Sequence, residues 1–177
     1  MFLRELAVEG ESLQQVLWNQ FGGSLQMLEN AIAFCPEEVW GSERHPQAFW
    51  YLTYHTLFWT DYYFSETTEA DFQPPAPFTK GEFDPEGSLP EWAYSKEELL
   101  EYLAFIWTQS RTFIKSLTPE KAQARFAGEY RDFSLLELTL YNTRHVQHHA
   151  AQLNLLLRQR VDATPGWASL PKQGLED

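Results

Sequence analysis

The stretch SLLELTLYNTRHVQHHAAQLNLLLRQR, residues 134–160, decides how the chain folds. Leu135, Leu138, Val146, Leu153 and Leu156 share one side of a helical wheel, which predicts a single long amphipathic helix. Ser134 and Glu137 form the pattern of a capping box at its start. At about 100° per residue, with His145 at zero, the apolar sector runs from about +20° to about +100°. His149 falls at about +40°, inside that sector, and His145 sits at its edge. His148 falls near −60°, roughly on the polar side with Glu137 and Arg144. The wheel therefore selects His145 and His149 as an inward pair one turn apart. It places His148 beside that pair or at the surface. Two imidazoles so spaced can bind one divalent metal without distorting the backbone.

Three more segments have helical periodicity. In residues 11–34, Leu17, Phe21, Leu25, Leu28 and Ile32 make one stripe. Gly22 and Gly23 interrupt it, which predicts a kink or a close packing contact. In residues 46–64, Pro46 suits the first turn, where its missing N–H has no partner to lose. Leu52, His55, Trp59 and Tyr62 or Tyr63 share a face there, so His55 points where apolar side chains point. The third segment opens at Ser95 with the capping box SKEE, and Leu99, Leu103, Ile106, Phe113 and Leu117 form its stripe.

Residues 65–94 separate the second segment from the third. FQPPAPFTKGEFDPEGSLPEW carries five prolines and two glycines, which no helix sustains. Its aromatic content predicts an ordered connection that crosses the helices rather than a loose linker. TPEKAQARF predicts a short helix with Thr118 as cap and Pro119 in its first position. Residues 127–133 read as a turn or loop, and 161–177 as a surface tail that wraps or frays. The expectation is one all-α domain over 1–177, a four-helix bundle with a long crossover between its second and third helices.

Composition narrows the function classes. The 177 residues carry 13 Lys and Arg against 25 Asp and Glu, a net charge of −12. An acidic chain without a Lys/Arg cluster fits neither nucleic acid nor an anionic membrane. Seven Trp, eight Tyr and thirteen Phe favour a packed globule over disorder. Cys35 is the single cysteine, so no disulfide forms within the chain, and a buried hydrophobe is its expected role. The N-terminal MFLRELAVEGESL has acidic residues and no continuous apolar run, so neither a signal peptide nor a membrane span is expected. The cytoplasm is the expected compartment.

His55 turns the pair into a trio. Three histidines from two helices make a metal site with open positions, the usual catalytic arrangement. His45, in GSERHPQ, reads as a loop or cap residue before the second helix. One histidine in the second helix, with HxxxH and a Gln-hydrophobic pair in the last, resembles the DinB-like (DinB/YfiT) superfamily. HHAAQL is similar to that family's final-helix signature, in which a glycine often precedes the glutamine; Ala151 stands there in this chain. The resemblance implies a four-helix bundle, frequent dimers and one divalent transition metal, nickel or zinc, on His55, His145 and His149. It further implies a metal-dependent hydrolase or a transferase that uses low-molecular-weight thiols, acting on a small molecule.

A three-histidine metal can activate water, polarise a carbonyl or hold a thiolate sulfur. No glutamate follows His145 as it would in HExxH; Val146 is there. Tyr141 and Asn142, one turn earlier, are candidates for orienting a substrate or bonding behind the ligands, with core packing or a surface role equally open. Gln152, near −20°, is placed to fix an imidazole tautomer. The competing reading is a non-catalytic bundle whose metal is structural, serving dimerisation or partner binding. A further alternative is an aromatic ligand pocket of Trp50, Trp59 and Trp107, for which core packing is the stronger reading.

Overall fold

The computed structural model describes residues 11–41, 43–127 and 132–176. Among them are four long helices: α1 (Leu13–Phe34), α3 (Phe49–Phe64), α4 (Lys96–Lys115) and α5 (Leu135–Val161). A single-turn α2 (Glu37–Trp40) follows α1. A two-stranded antiparallel hairpin, β1 (Arg125–Ala127) and β2 (Asp132–Ser134), leads into α5. Helix α1 packs on α4 and α5, and so does α3, so each long helix shares the core with two others. None of the described helices is long and apolar enough to cross a membrane.

The expected stripes are the core. Leu17, Phe21, Leu25, Leu28 and Ile32 of α1 are buried, as are Leu99, Leu103, Ile106 and Phe113 of α4 and Leu117 just beyond it. The caps are local. The Ser95 hydroxyl accepts from the Glu98 N–H, and the Glu98 carboxylate accepts from the Ser95 N–H at 2.7 Å, which closes the box. Ser134 accepts from the Glu137 N–H at the start of α5.

Three boundaries differ from expectation. The second helix begins at Phe49, not Pro46, because His45 Nδ1 accepts the Gln47 N–H and holds a turn there. TPEKAQARF forms one 3-10 turn, Lys121–Gln123, instead of a helix. Thr118 does cap that turn through the Lys121 N–H. The chain then extends, because Arg125–Ala127 pairs with Asp132–Ser134 across the hairpin. The expected loop at 127–133 is therefore strand at both ends, while 128–131 lie outside the described residues.

Gly22 and Gly23 mark a close approach, and α1 runs through them without a break. A Cβ on Gly22 would meet the Pro171 ring at 2.8 Å, and one on Gly23 would meet the Ser169 carbonyl oxygen at 3.3 Å. The tail lies against α1 at these glycines. Trp18 Nε1 donates to the Gln173 carbonyl, the Lys172 N–H donates to Gln26 Oε1, and Leu175 is buried. Asp61 is a buried carboxylate. Asp61 accepts from the Tyr102 hydroxyl at 2.8 Å and from Gln109 Nε2 at 2.6 Å. Burial outweighs those two bonds and pushes its carboxyl up to about 6.

Candidate metal centre

The site lies between the one partly exposed stripe of α3 and the flank of the buried face of α5. Every residue of α3 is buried except Tyr51, Leu52, His55 and Trp59, which form one stripe along it. The expected companions of His55 divide: Leu52 and Trp59 share its stripe, whereas Tyr62 and Tyr63 are buried. On α5, Leu135, Leu138, Asn142, Val146, Leu153 and Leu157 face the core. His145 and His149 occupy the flank of that sector, half-buried, and His148 is exposed. The imidazoles therefore sit at the rim of the core.

Helices α3 and α5 bring His55, His145 and His149 together. One ring nitrogen from each lies within 4.8 Å of the others, within the reach of a single ion. Ring centroids are 4.7 Å apart for His145 and His149, 4.9 Å for His55 and His149, and 5.7 Å for His55 and His145. Tyr63 meets the His145 ring edge-on at 6.0 Å. His148 touches the His149 ring but is not a member of the trio.

Two of the three rings are oriented from behind. His149 Nδ1 is 2.7 Å from Gln152 Oε1, one turn along α5. An amide oxygen only accepts, so the Nδ1 proton goes to it and the Nε2 lone pair faces the cluster. His55 Nδ1 is 2.6 Å from Glu82 Oε2, and a carboxylate fixes the tautomer in the same way. Burial holds His149 neutral, the neighbouring His55 adds to the effect, and its basicity falls to about 4. The Gln152 bond opposes this only in part.

Glu82 escaped the reading of the sequence. It lies in the connection between α3 and α4, in the 3-10 turn Gly81–Phe83, with its side chain 5% exposed. Trp59 Nε1 donates to the same Oε2 at 3.0 Å, and Tyr51 bonds to the carboxylate as well. Burial raises the Glu82 carboxyl, but the bonds from His55, Tyr51 and Trp59 and the charge of His55 outweigh it and hold it below the ordinary value. The chain has seven carboxylates between residues 65 and 94. The one usable signal is that Glu82 stands next to Phe83, whose ring packs on Phe58, Trp59 and Tyr62. The three imidazoles fit a divalent transition metal: neutral nitrogen donors from two rigid helices, backed by an amide and a carboxylate.

The other candidates fall in different places. Tyr141 and His145 line a cavity of about 330 Å³ together with Arg144 and His148, so Tyr141 stands beside the site. Asn142 is fully buried and donates to the Thr60 carbonyl at 3.4 Å, which ties α5 to α3. His45 lines a separate cavity with Glu38, Glu43 and Arg160. Trp50 and Trp107 are core residues, and their indole N–H groups donate to the Glu43 carbonyl and to Glu29. Cys35 is buried, and that burial, against the opposing pull of Lys96, pushes its thiol up to about 12. It is no nucleophile near neutral pH.

Fold and site together define a mostly helical protein with a three-histidine cluster able to hold a metal ion. The chain belongs to the DinB superfamily, whose family model matches residues 20–153. That span includes all three histidines, Glu82 and Gln152. No curated protein and no solved structure matches the chain.

Proposed function

We propose that His55, His145 and His149 hold one divalent transition metal, zinc or nickel. On this reading the protein acts on a small molecule as a hydrolase or a low-molecular-weight-thiol transferase. The four long helices are read as a four-helix bundle, with residues 65–94 as its crossover. The observation that carries the metal reading is the convergence of three imidazoles, two of them fixed in the tautomer that turns Nε2 toward the others. Such an ion supplies Lewis acidity toward a carbonyl and a resting place for sulfur.

The chain's own residues have simpler tasks. Glu82 and Gln152 hold two rings in register, and burial keeps His149 unprotonated near neutral pH. A cavity of about 330 Å³ adjoins the His145 side chain and is the space beside the cluster in which a small molecule could lie. Elemental analysis of wild type should give one metal per chain. His149→Ala should lose it, and His148→Ala should keep it. Stoichiometric metal in His149→Ala would overturn the assignment. Ester, amide and electrophilic substrates, screened with and without a low-molecular-weight thiol, separate the two reactions. Turnover that needs the thiol identifies the transferase, and turnover without it identifies the hydrolase. Full metal with no turnover in either arm supports the non-catalytic reading instead.

A further inference from the structure

Two cavities adjoin on the outer face of α5. The first is the cavity of about 330 Å³ beside His145, the one histidine of the trio that lines it. The second, about 480 Å³, lies between α1, α5 and the tail, with Gln20, Ser24, Thr143, Gln147 and Trp167 on its walls. Arg144 and His148 line both. The chain carries 25 carboxylates, yet among the described residues no Asp or Glu lines either cavity. The cavity beside His45 contains Glu38 and Glu43, and the one beside the hairpin contains Glu66 and Glu69. In so acidic a protein, a stretch without lining carboxylates around an arginine is where an anion meets the least repulsion.

Arg144 is poised rather than used. Among the described residues no carboxylate pairs with it, and its guanidinium lies 5.9 Å from the Tyr141 ring centroid. Trp167 is 74% exposed, the most exposed large apolar side chain of those described. Its backbone is not free to fold that ring away. The next residue donates its N–H to Met27 Sδ, Ser169 lies over Gly23, and Pro171 fills the space above Gly22. A pinned, uncovered indole beside a polar cavity offers a flat face to a ligand.

We propose that the two cavities form one groove for a small organic anion, with its anionic group on Arg144, its flat or apolar part on Trp167 and its reacting end toward His145. The reacting end rests on the metal reading; the anion and aromatic contacts do not. Trp167 lies beyond the 20–153 span of the family match, so this end of the groove belongs to this chain's own tail.

Calorimetry with 2-naphthylacetate, 2-naphthyl phosphate and the neutral 2-naphthylacetamide tests the proposal. Wild type should prefer the anions over the amide by about tenfold, the usual worth of a charge-assisted bond. The two anions together tell whether carboxylate or phosphate fits better. Arg144→Gln should erase the preference, and Arg144→Lys should restore most of it. Trp167→Ala should weaken all three probes alike. The metal-free His149→Ala should keep the anion preference, which separates this groove from the metal reading. Equal binding of anion and amide by wild type overturns the proposal. So does a preference that survives Arg144→Gln but vanishes in His149→Ala, because the anion then sits on the metal. Unchanged affinities in Trp167→Ala overturn the aromatic contact.

Discussion

Glu82→Gln should weaken metal binding about tenfold without unfolding the protein. Glu82 Oε2 accepts from His55 Nδ1 at 2.6 Å and from Trp59 Nε1 at 3.0 Å, and Tyr51 is a third donor to the carboxylate. The amide presents one accepting oxygen to three donors and carries no charge. Replacing a charge-assisted bond by a neutral one costs about 1–2 kcal/mol. That is about 5- to 30-fold in affinity, and it falls on the metal because the His55 ring becomes a weaker base. Competition with a chromophoric zinc chelator near neutral pH measures the loss. Circular dichroism and a thermal melt of the metal-free variant establish that it is folded. A folded Glu82→Gln that binds zinc within about twofold of wild type would refute the reasoning. A loss as complete as that in His55→Ala would refute it too, because Glu82 would then be ligand rather than support.

Three further outcomes follow from the packing. Asp61 has a raised carboxyl in the folded state, about 6 against an ordinary 3.8, so its contribution is full below the lower value and is lost as pH rises to the upper one. Urea unfolding should therefore show about 3 kcal/mol lost over that window, and Asp61→Asn should flatten it; an unchanged slope in the variant would contradict the assignment. Gly22→Ala should lose about 1 kcal/mol net, the clash with Pro171 exceeding the gain in helix propensity, and the tail should become more sensitive to protease. A gain of about 1 kcal/mol instead would mean that the tail does not press on α1. Ser95→Ala should cost about 1 kcal/mol in thermal unfolding, because it removes the acceptor for the Glu98 N–H at the start of α4.

Much of this was legible in the residues. Helical spacing identified the buried stripes of α1 and α4, and the Ser95 box marked where α4 begins, because caps and stripes depend on neighbours within a few turns. The spacing of His145 and His149 placed them one turn apart, and Gln152 one turn further reached the second ring for the same local reason. The hairpin was not legible. Residues 125–127 form strand only because 132–134 lie beside them, and short strands carry little propensity of their own.

By itself, then, the sequence determined where the four long helices lie, where α4 starts, and which two histidines of α5 stand together, since all of this is written at spacings of three to four residues. Only the tertiary structure decided that His55 joins them at the rim, that Glu82 of the α3–α4 connection stands behind it, and that the tail walls a cavity lined by Arg144. Those residues are brought together by packing between elements distant in sequence, 27 positions for His55 and Glu82. No local periodicity encodes which of the seven carboxylates between residues 65 and 94 the aromatic packing of α3 will bury.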